Sequence, residues 1–282
     1  MLLHRYFGSH AFETLKEAKL KTSKISSFND PFEFLFRATG NMTAKKAREY
    51  LLSRRHKPDF LQIASQFIPG LLTDKKADKI LDKKIPQLTA IMVANFEKYK
   101  NMSLENRVIT TDKYMRVVCF SDAKVKPLDE ILIWSHYAKM HKGVRIGFEI
   151  PDGITLEFKI FKIKYQEMRH EVDFSNGFSS EVVGQVLIDS AKVKSLAWQY
   201  ENEYRLLTTP SRCEEIKMPD STVEYFVNFK REWVKSVDFG VRCPQKEIER
   251  ILGLIKTDYP KCIVCRKADY HESEYALKYK EI

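Results

Sequence analysis

The period of the apolar residues changes along this 282-residue chain, and those changes bound what it can fold into. Leu88, Ile91, Met92, Asn95, Phe96 and Tyr99 recur at i, i+3, i+4 and i+7, the spacing of one helix face. Farther on, Val144, Ile146, Phe148 and Ile150 alternate with Arg145, Gly147 and Glu149, as in a half-buried strand. Pro151-Asp152-Gly153 supplies a turn, after which Leu156, Phe158 and Ile160 resume the alternation. At Ile160-Phe161 the phase slips, and Ile163 and Tyr165 continue on the other parity, as a bulge or bend would produce. Arg116 to Ser121, Glu203 to Thr209, Val223 to Phe229 and Lys261 to Arg266 read as further strands. Ser179 to Trp198 and Gln245 to Lys256 read as helices, and Pro69-Gly70 and Pro86 as helix punctuation. The sum is an α+β protein with a mostly antiparallel sheet. We expect one domain over residues 1–282, with residues 41–110 as a helical insertion and the N-terminal strand joining a sheet built mainly after Arg116.

That insertion also holds most of the charge. The chain carries 48 Lys and Arg against 38 Asp and Glu, a formal +10. Between Asn41 and Thr110 there are 14 basic and 7 acidic residues, a surplus of 7. A basic helical segment is a candidate surface for nucleic acid. Asp74, Asp78 and Asp82, interleaved with Lys75, Lys76, Lys79, Lys83 and Lys84, support instead a solvated, lysine-rich helix face. Apolar runs such as Ile131-Leu132-Ile133-Trp134 are far below the roughly 20 residues that span a bilayer, so no membrane partner is expected. The N-terminus meets charge at once, without the apolar region of a secretory leader. Five cysteines in a chain of this length read as reduced thiols, and the expected location is cytoplasmic.

Standard motifs are mostly absent. No Walker loop, G-x-G-x-x-G, G-x-S-x-G or H-E-x-x-H occurs, and ten Gly is sparse for a phosphate-cradling loop. Cys262 and Cys265 have zinc spacing but no second pair, and on a strand they would point to opposite faces. No metal is expected. Asp152, then Glu157-Phe158-Lys159, echo the two carboxylates and lysine of a metal-dependent nuclease. Asp152 sits in a turn only five residues before Glu157, however, and a polar hairpin face explains the same letters.

Three clusters carry more chemistry. Ser27-Phe28-Asn29-Asp30-Pro31-Phe32-Glu33 is a turn signature, with Phe28 and Phe32 placed to anchor it in the core. Ile133-Trp134-Ser135-His136-Tyr137-Ala138 offers stacking faces, an imidazole and a hydroxyl, or else an amphipathic helix with Trp134 in the core. Trp198-Gln199-Tyr200-Glu201-Asn202-Glu203-Tyr204-Arg205 places Glu201, Glu203 and Arg205 on one face if a strand begins near Glu201, with Tyr204 and Leu206 on the other. That charged face is either an exposed ion-pair ladder or the wall of a cleft. Glu203→Gln would be nearly neutral if the carboxylate is exposed, and costly if it closes a buried pair with Arg205.

In this order the three blocks resemble the bacterial family known as domain of unknown function 2971. The resemblance includes Cys119-Phe120-Ser121 and His141-Lys142-Gly143-Val144, and it runs to Glu249-Arg250-Ile251-Leu252-Gly253. The family name itself implies no activity. More distantly, His4-Arg5-Tyr6, then Thr14 to Leu20, then Ser23 to Ser26, resemble the opening strand, helix and strand of ADP-ribosyltransferase folds, including DNA-modifying toxins. That likeness implies an NAD-dependent ADP-ribosyltransferase or NAD glycohydrolase, a toxin or phage-defence effector, with NAD as substrate. It implies catalytic Glu203 and Glu201. His4 or Tyr6, with Trp134, His136, Tyr137 and Arg205, would contact the ligand. The acceptor would be nucleic acid, held through the basic helical segment, or protein, and an inhibitor partner belongs to the same picture. The alternative is a non-catalytic nucleic-acid or protein-binding module.

Overall fold

The computed structural model describes residues 1–65, 77–151, 159–174 and 180–282. It is α+β, and its chain contacts separate two compact units. The first comprises Met1–Phe34, Val108–Met168 and Ala191–Ile282, and the second Leu35–Arg107 and Arg169–Ser190.

The first unit is built on an eight-stranded sheet. In spatial order its strands are Leu277–Glu281, Val264–Tyr270, Val234–Phe239, Val144–Glu149, Leu2–Phe7, Arg116–Asp122, Glu203–Thr208 and Lys159–Lys162. All neighbours are antiparallel except Val234–Phe239 with Val264–Tyr270, which are joined through the helix Gln245–Asp258 as a parallel crossover requires. The N-terminal strand thus joins this sheet, as expected, and lies in its middle. One face packs Leu3, Phe7, Phe120, Ile146, Phe148 and Val237 against the helices Ala11–Glu17 and Gln245–Asp258. Tyr204 and Leu206 join this apolar side, leaving Glu203 and Arg205 to the other.

Between the two central strands the sheet splits. Leu2–Phe7 and Arg116–Asp122 pair only at Leu3↔Asp122 and His4↔Ser121. Beyond that point each remains paired on its outer side, one as far as Phe7↔Val144 and the other as far as Thr208↔Arg116. A strand pair that diverges while both outer ladders continue leaves a wedge between them, open to side chains and ligands.

The second unit is mainly helical, with helices Ala44–Arg54, Pro58–Ser65 and Ala77–Lys100. Pro86 does not end a helix but lies inside the longest one. An interior proline costs about 3 kcal/mol. The stripe of Leu81, Ile85, Thr89 and Phe96, all buried, offsets that cost by fixing the helix against its neighbours. Ile91 and Asn95 fall outside this stripe and are exposed, so the buried face is narrower than the spacing predicts. Arg55 pairs with Asp78 and Asp82 at 3.4 and 3.3 Å, so part of the charge here is neutralised within the unit.

Other expectations are corrected. The helix predicted to reach Trp198 is Ser180–Ser190, followed by the short strand Val193–Ser195 and a 3-10 segment, Leu196–Glu201. Ser23 to Ser26 is not a strand: Lys19–Lys21 is, and Ser23 makes one bridge, to Val117. The phase slip after Phe161 is a change of partner, since Lys164–Gln166 leaves the large sheet to pair with Val193–Ser195. Pro69-Gly70, Lys75, Lys76 and the nuclease-like Asp152 and Glu157 lie outside the described residues. No described helix is long and apolar enough to cross a membrane.

Candidate functional site

A cavity of about 370 Å³ occupies the wedge where the sheet splits, within the size range of small-molecule sites. His4, Arg5 and Tyr6 come from one lip, and Cys119, Phe120 and Ser121 from the other. The helix Pro127–Tyr137 contributes Ile133, His136 and Tyr137, which share a face because they are spaced i, i+3, i+4. Pro127 at its first turn, with Asp129 and Glu130 following, starts that helix in the expected way. Ser27, Phe28 and Asn29 close a further side, and Glu201, Glu203, Lys194 and Glu33 form the charged wall.

The charged wall is a buried network of three carboxylates and two cations. Arg205 is fully buried; its Nε donates to Glu203 Oε1 at 2.7 Å and its Nη2 to Glu203 Oε2 at 2.9 Å. Nη2 also pairs with Glu33 Oε2, and Nη1 donates to the Ala191 carbonyl at 3.1 Å. Lys194 Nζ reaches Glu201 Oε2 at 2.6 Å, Glu33 Oε1 at 3.0 Å and Glu203 Oε2 at 3.2 Å. The Tyr137 hydroxyl donates to Glu201 Oε1. Aromatic faces flank both cations: Phe28 and Phe34 lie 5.3 and 5.2 Å from the Arg205 guanidinium, and Trp198 lies 4.9 Å from Lys194.

Local sequence explains how these groups arrive. Asp30 Oδ1 accepts the Phe32 N–H at 2.9 Å, an Asx turn that swings Glu33 inward. Phe28 and Phe34 anchor this turn, while Phe32 is 59% exposed, so the predicted anchor moves two residues on. Glu201 does not begin a strand. It ends the 3-10 segment, and left-handed Asn202 (φ 44°), a residue type that tolerates this conformation, turns the chain into Glu203–Thr208. Glu201 and Glu203 still reach one cavity, from two different elements.

The environment divides the carboxylates. Burial alone would raise Glu203, but Arg205 and Lys194 outweigh it and hold its carboxyl at about 2. Burial raises Glu201, and Lys194 offsets only part of the effect while Glu203 adds to it. Burial likewise raises Glu33 against the pull of Arg205 and Lys194. Tyr137 is pushed up by burial and by the charge of Glu201. Burial, with Arg145 nearby, lowers His4 to about 3, so its imidazole is neutral. Tyr6, raised by burial to about 12, sets its ring edge-on to Trp134 at 5.2 Å. Behind it Arg145 pairs with Asp238 at 2.9 Å and with Glu130.

Of the residues singled out from sequence, His4, Tyr6, His136, Tyr137, Glu201 and Glu203 line the cavity. Trp134 and Arg205 do not. Both are fully buried and act from behind, Trp134 supporting Tyr6 and Arg205 clamping Glu203 and Glu33. His136 turns its Nδ1 to the Tyr200 hydroxyl at 2.8 Å. Lys194 and Glu33 are the residues that sequence reasoning missed. Glu33 stood in a quoted block as a turn residue, and nothing marked Lys194 except its closeness to the Trp198 cluster. Among the described residues no group of three or more His, Cys, Asp or Glu is arranged to hold a metal ion.

The densest part of this arrangement coincides with a family signature. Residues 133–206 match the model of the family described as "Protein of unknown function (DUF2971)", so this stretch is similar to that family. The matched residues include Tyr137, Lys194, Glu201, Glu203 and Arg205, while the Phe28–Glu33 block and the Glu249–Gly253 end lie outside them. No curated protein and no solved structure matches the chain, and the ADP-ribosyltransferase likeness is not confirmed by these comparisons.

Proposed function

We propose that the cavity binds NAD and breaks its nicotinamide–ribose bond, as an ADP-ribosyltransferase or NAD glycohydrolase. The observation that carries this reading is the pair Glu201 and Glu203, on one cavity wall, with carboxyls displaced in opposite directions. Two titratable groups whose surroundings separate them divide the roles of fixed charge and proton carrier. Glu203, held ionised, faces the positive charge that develops on the ribosyl carbon as the bond breaks. Nicotinamide leaves neutral, taking the bonding electron pair. An acceptor lone pair, from water or a macromolecule, closes the new bond to C1′, and its proton passes to Glu201. Neutral His4 and the rings of Tyr6 and Tyr137 supply uncharged and aromatic walls for the cationic nicotinamide.

Nicotinamide release from NAD by purified protein tests this. Glu201→Gln is expected to lower the rate about 100-fold or more, the scale of losing a general base from an active site. An unaltered rate in Glu201→Gln, or no release by the wild type, rejects the reading.

A second reading, a non-catalytic nucleic-acid or protein-binding module, is favoured by one observation. All six carboxylate oxygens of Glu33, Glu201 and Glu203 already accept from Lys194, Arg205 or Tyr137, as a purely structural network would. Salt-sensitive binding without NAD turnover would support it.

A further inference from the structure

The segment that walls the cavity also borders a second hollow on the same unit. Ser23, Ser27, Phe28 and Asn29 face the cavity, whereas Lys24 and Ser26 line a separate space of about 520 Å³. Asp112, Lys113, Arg116 and Tyr225 line it as well. Three cations therefore meet one carboxylate, and that carboxylate is already engaged: Asp112 Oδ1 accepts the N–H groups of Ile25 at 2.7 Å and Ser26 at 3.2 Å. Among the described residues none of Lys24, Lys113 and Arg116 has a carboxylate oxygen within 4.0 Å. This contrasts with the helical unit, where Asp78 and Asp82 take up Arg55.

Arg116 makes the hollow more than a group of surface lysines. It is 5% exposed, its guanidinium lies 4.5 Å from the Tyr225 ring, and its Nη1 donates to the carbonyls of Met115, at 2.8 Å, and Asp112. Its Nε is buried without a partner. Buried charges are normally paired, because removing them from water is costly. A guanidinium that lines the hollow without a carboxylate partner, flanked by two exposed lysines, is complementary to an anion with several acceptor oxygens. We propose that this hollow holds the phosphodiester backbone of a nucleic-acid acceptor, presenting it beside the cavity across the Ser23–Asn29 segment. The role as acceptor site rests on the transferase reading; the binding itself does not.

The test is fluorescence anisotropy with a labelled single-stranded oligonucleotide of about 12 nucleotides, titrated over a range of salt. Each phosphate contact contributes about −0.7 to the slope of log K against log salt for single strands. Lys24→Ala with Lys113→Ala is therefore expected to weaken binding at low salt and to make the slope shallower by about 1.4. Lys83→Ala with Lys84→Ala, on the helical unit, serves as the control and should leave the slope near its wild-type value. An unchanged slope in the first pair, or an equal loss in the control pair, overturns the proposal. Polyglutamate competing as well as the oligonucleotide also overturns it, because the hollow would then read negative charge on protein. Because no NAD is present, failure here is distinct from failure of the catalytic reading, which appears only as absent nicotinamide release.

Discussion

The two glutamates at the cavity wall differ in what a glutamine could replace. Glu203 offers both oxygens to cations, Arg205 on each and Lys194 on Oε2, so an amide nitrogen at either position would face a donor. Glu203→Gln is expected to destabilise the fold by about 3–5 kcal/mol, the cost of breaking a buried pair from one side. Glu201 meets Lys194 on one oxygen but the Tyr137 hydroxyl on the other, and a hydroxyl can turn to accept. Its loss also leaves two carboxylates facing two cations. Glu201→Gln should therefore cost about 1 kcal/mol, the scale of one rearranged hydrogen bond. Urea unfolding of both variants checks the ordering, and equal losses would mean that the network does not discriminate between them. This ordering makes Glu201→Gln the cleaner probe of chemistry. Glu201, Glu203 and Tyr137 were legible in the sequence because carboxylates, aromatics and an imidazole crowd into short blocks there. Lys194 was not, since a lysine reads as solvated until three carboxylates are folded around it. Glu33 bonds to Arg205 across 172 positions, a distance no local pattern reports.

Elements were legible where one physical signal dominated. The strands Val144–Glu149, Arg116–Asp122 and Glu203–Thr208 were located to within a residue or two, yet all three lie mid-sheet and bury nearly every residue on both faces, so the alternation at Val144–Ile150 marks the apolar face without the other being exposed. The helix from residue 180 was overextended because the strand at Val193–Ser195 exists only through its parallel partner Lys164–Gln166, which no local propensity encodes. The end of the helix Pro127–Tyr137 shows a similar tertiary control. Lys139, Met140 and His141 are all left-handed, with φ of 49°, 54° and 65°. Each costs about 1–2 kcal/mol outside glycine. They are held by the N–H of His141 donating to the Trp134 carbonyl at 3.3 Å and that of Gly143 to the Ala138 carbonyl at 2.8 Å. Gly143 permits this return, since a Cβ there would stand 1.9 Å from the Phe7 carbonyl oxygen. Gly143→Ala should push the strand Leu2–Phe7 away at its C-terminal end and cost at least about 1–3 kcal/mol. Thermal melting measures it, and an unshifted midpoint would show that the strand end yields freely. His4 and Tyr6 lie on that strand, so nicotinamide release should fall along with stability.

At the scale of the molecule, the formal +10 describes the surface, while the first unit encloses an unusual number of ionisable groups. His4, Glu33, Arg145, Lys194, Glu201, Glu203, Arg205 and Asp238 are all buried. Stability must then depend on pH through whichever of them bind protons differently when unfolded. His4 falls from 6.5 unfolded to about 3 folded, so the unfolded chain binds the extra proton between those values and stability drops as pH falls through that window. Glu203, at 4.5 unfolded and about 2 folded, contributes stability that is present above 4.5 and is lost on further acidification. Glu33 and Glu201 act in the opposite sense: their raised carboxyls take up protons in the folded state first, which favours folding as pH falls towards 4.5. The two effects oppose each other above 4.5, and below it His4 and Glu203 act together. A gentle decline in melting temperature from neutral pH should therefore steepen once the pH passes below about 4.5. His4→Gln, which cannot take up a proton, should flatten the upper limb and leave the steep acid limb of Glu203 in place. If the variant and the wild type trace parallel curves from neutral pH downward, His4 is not the group whose burial sets the upper limb.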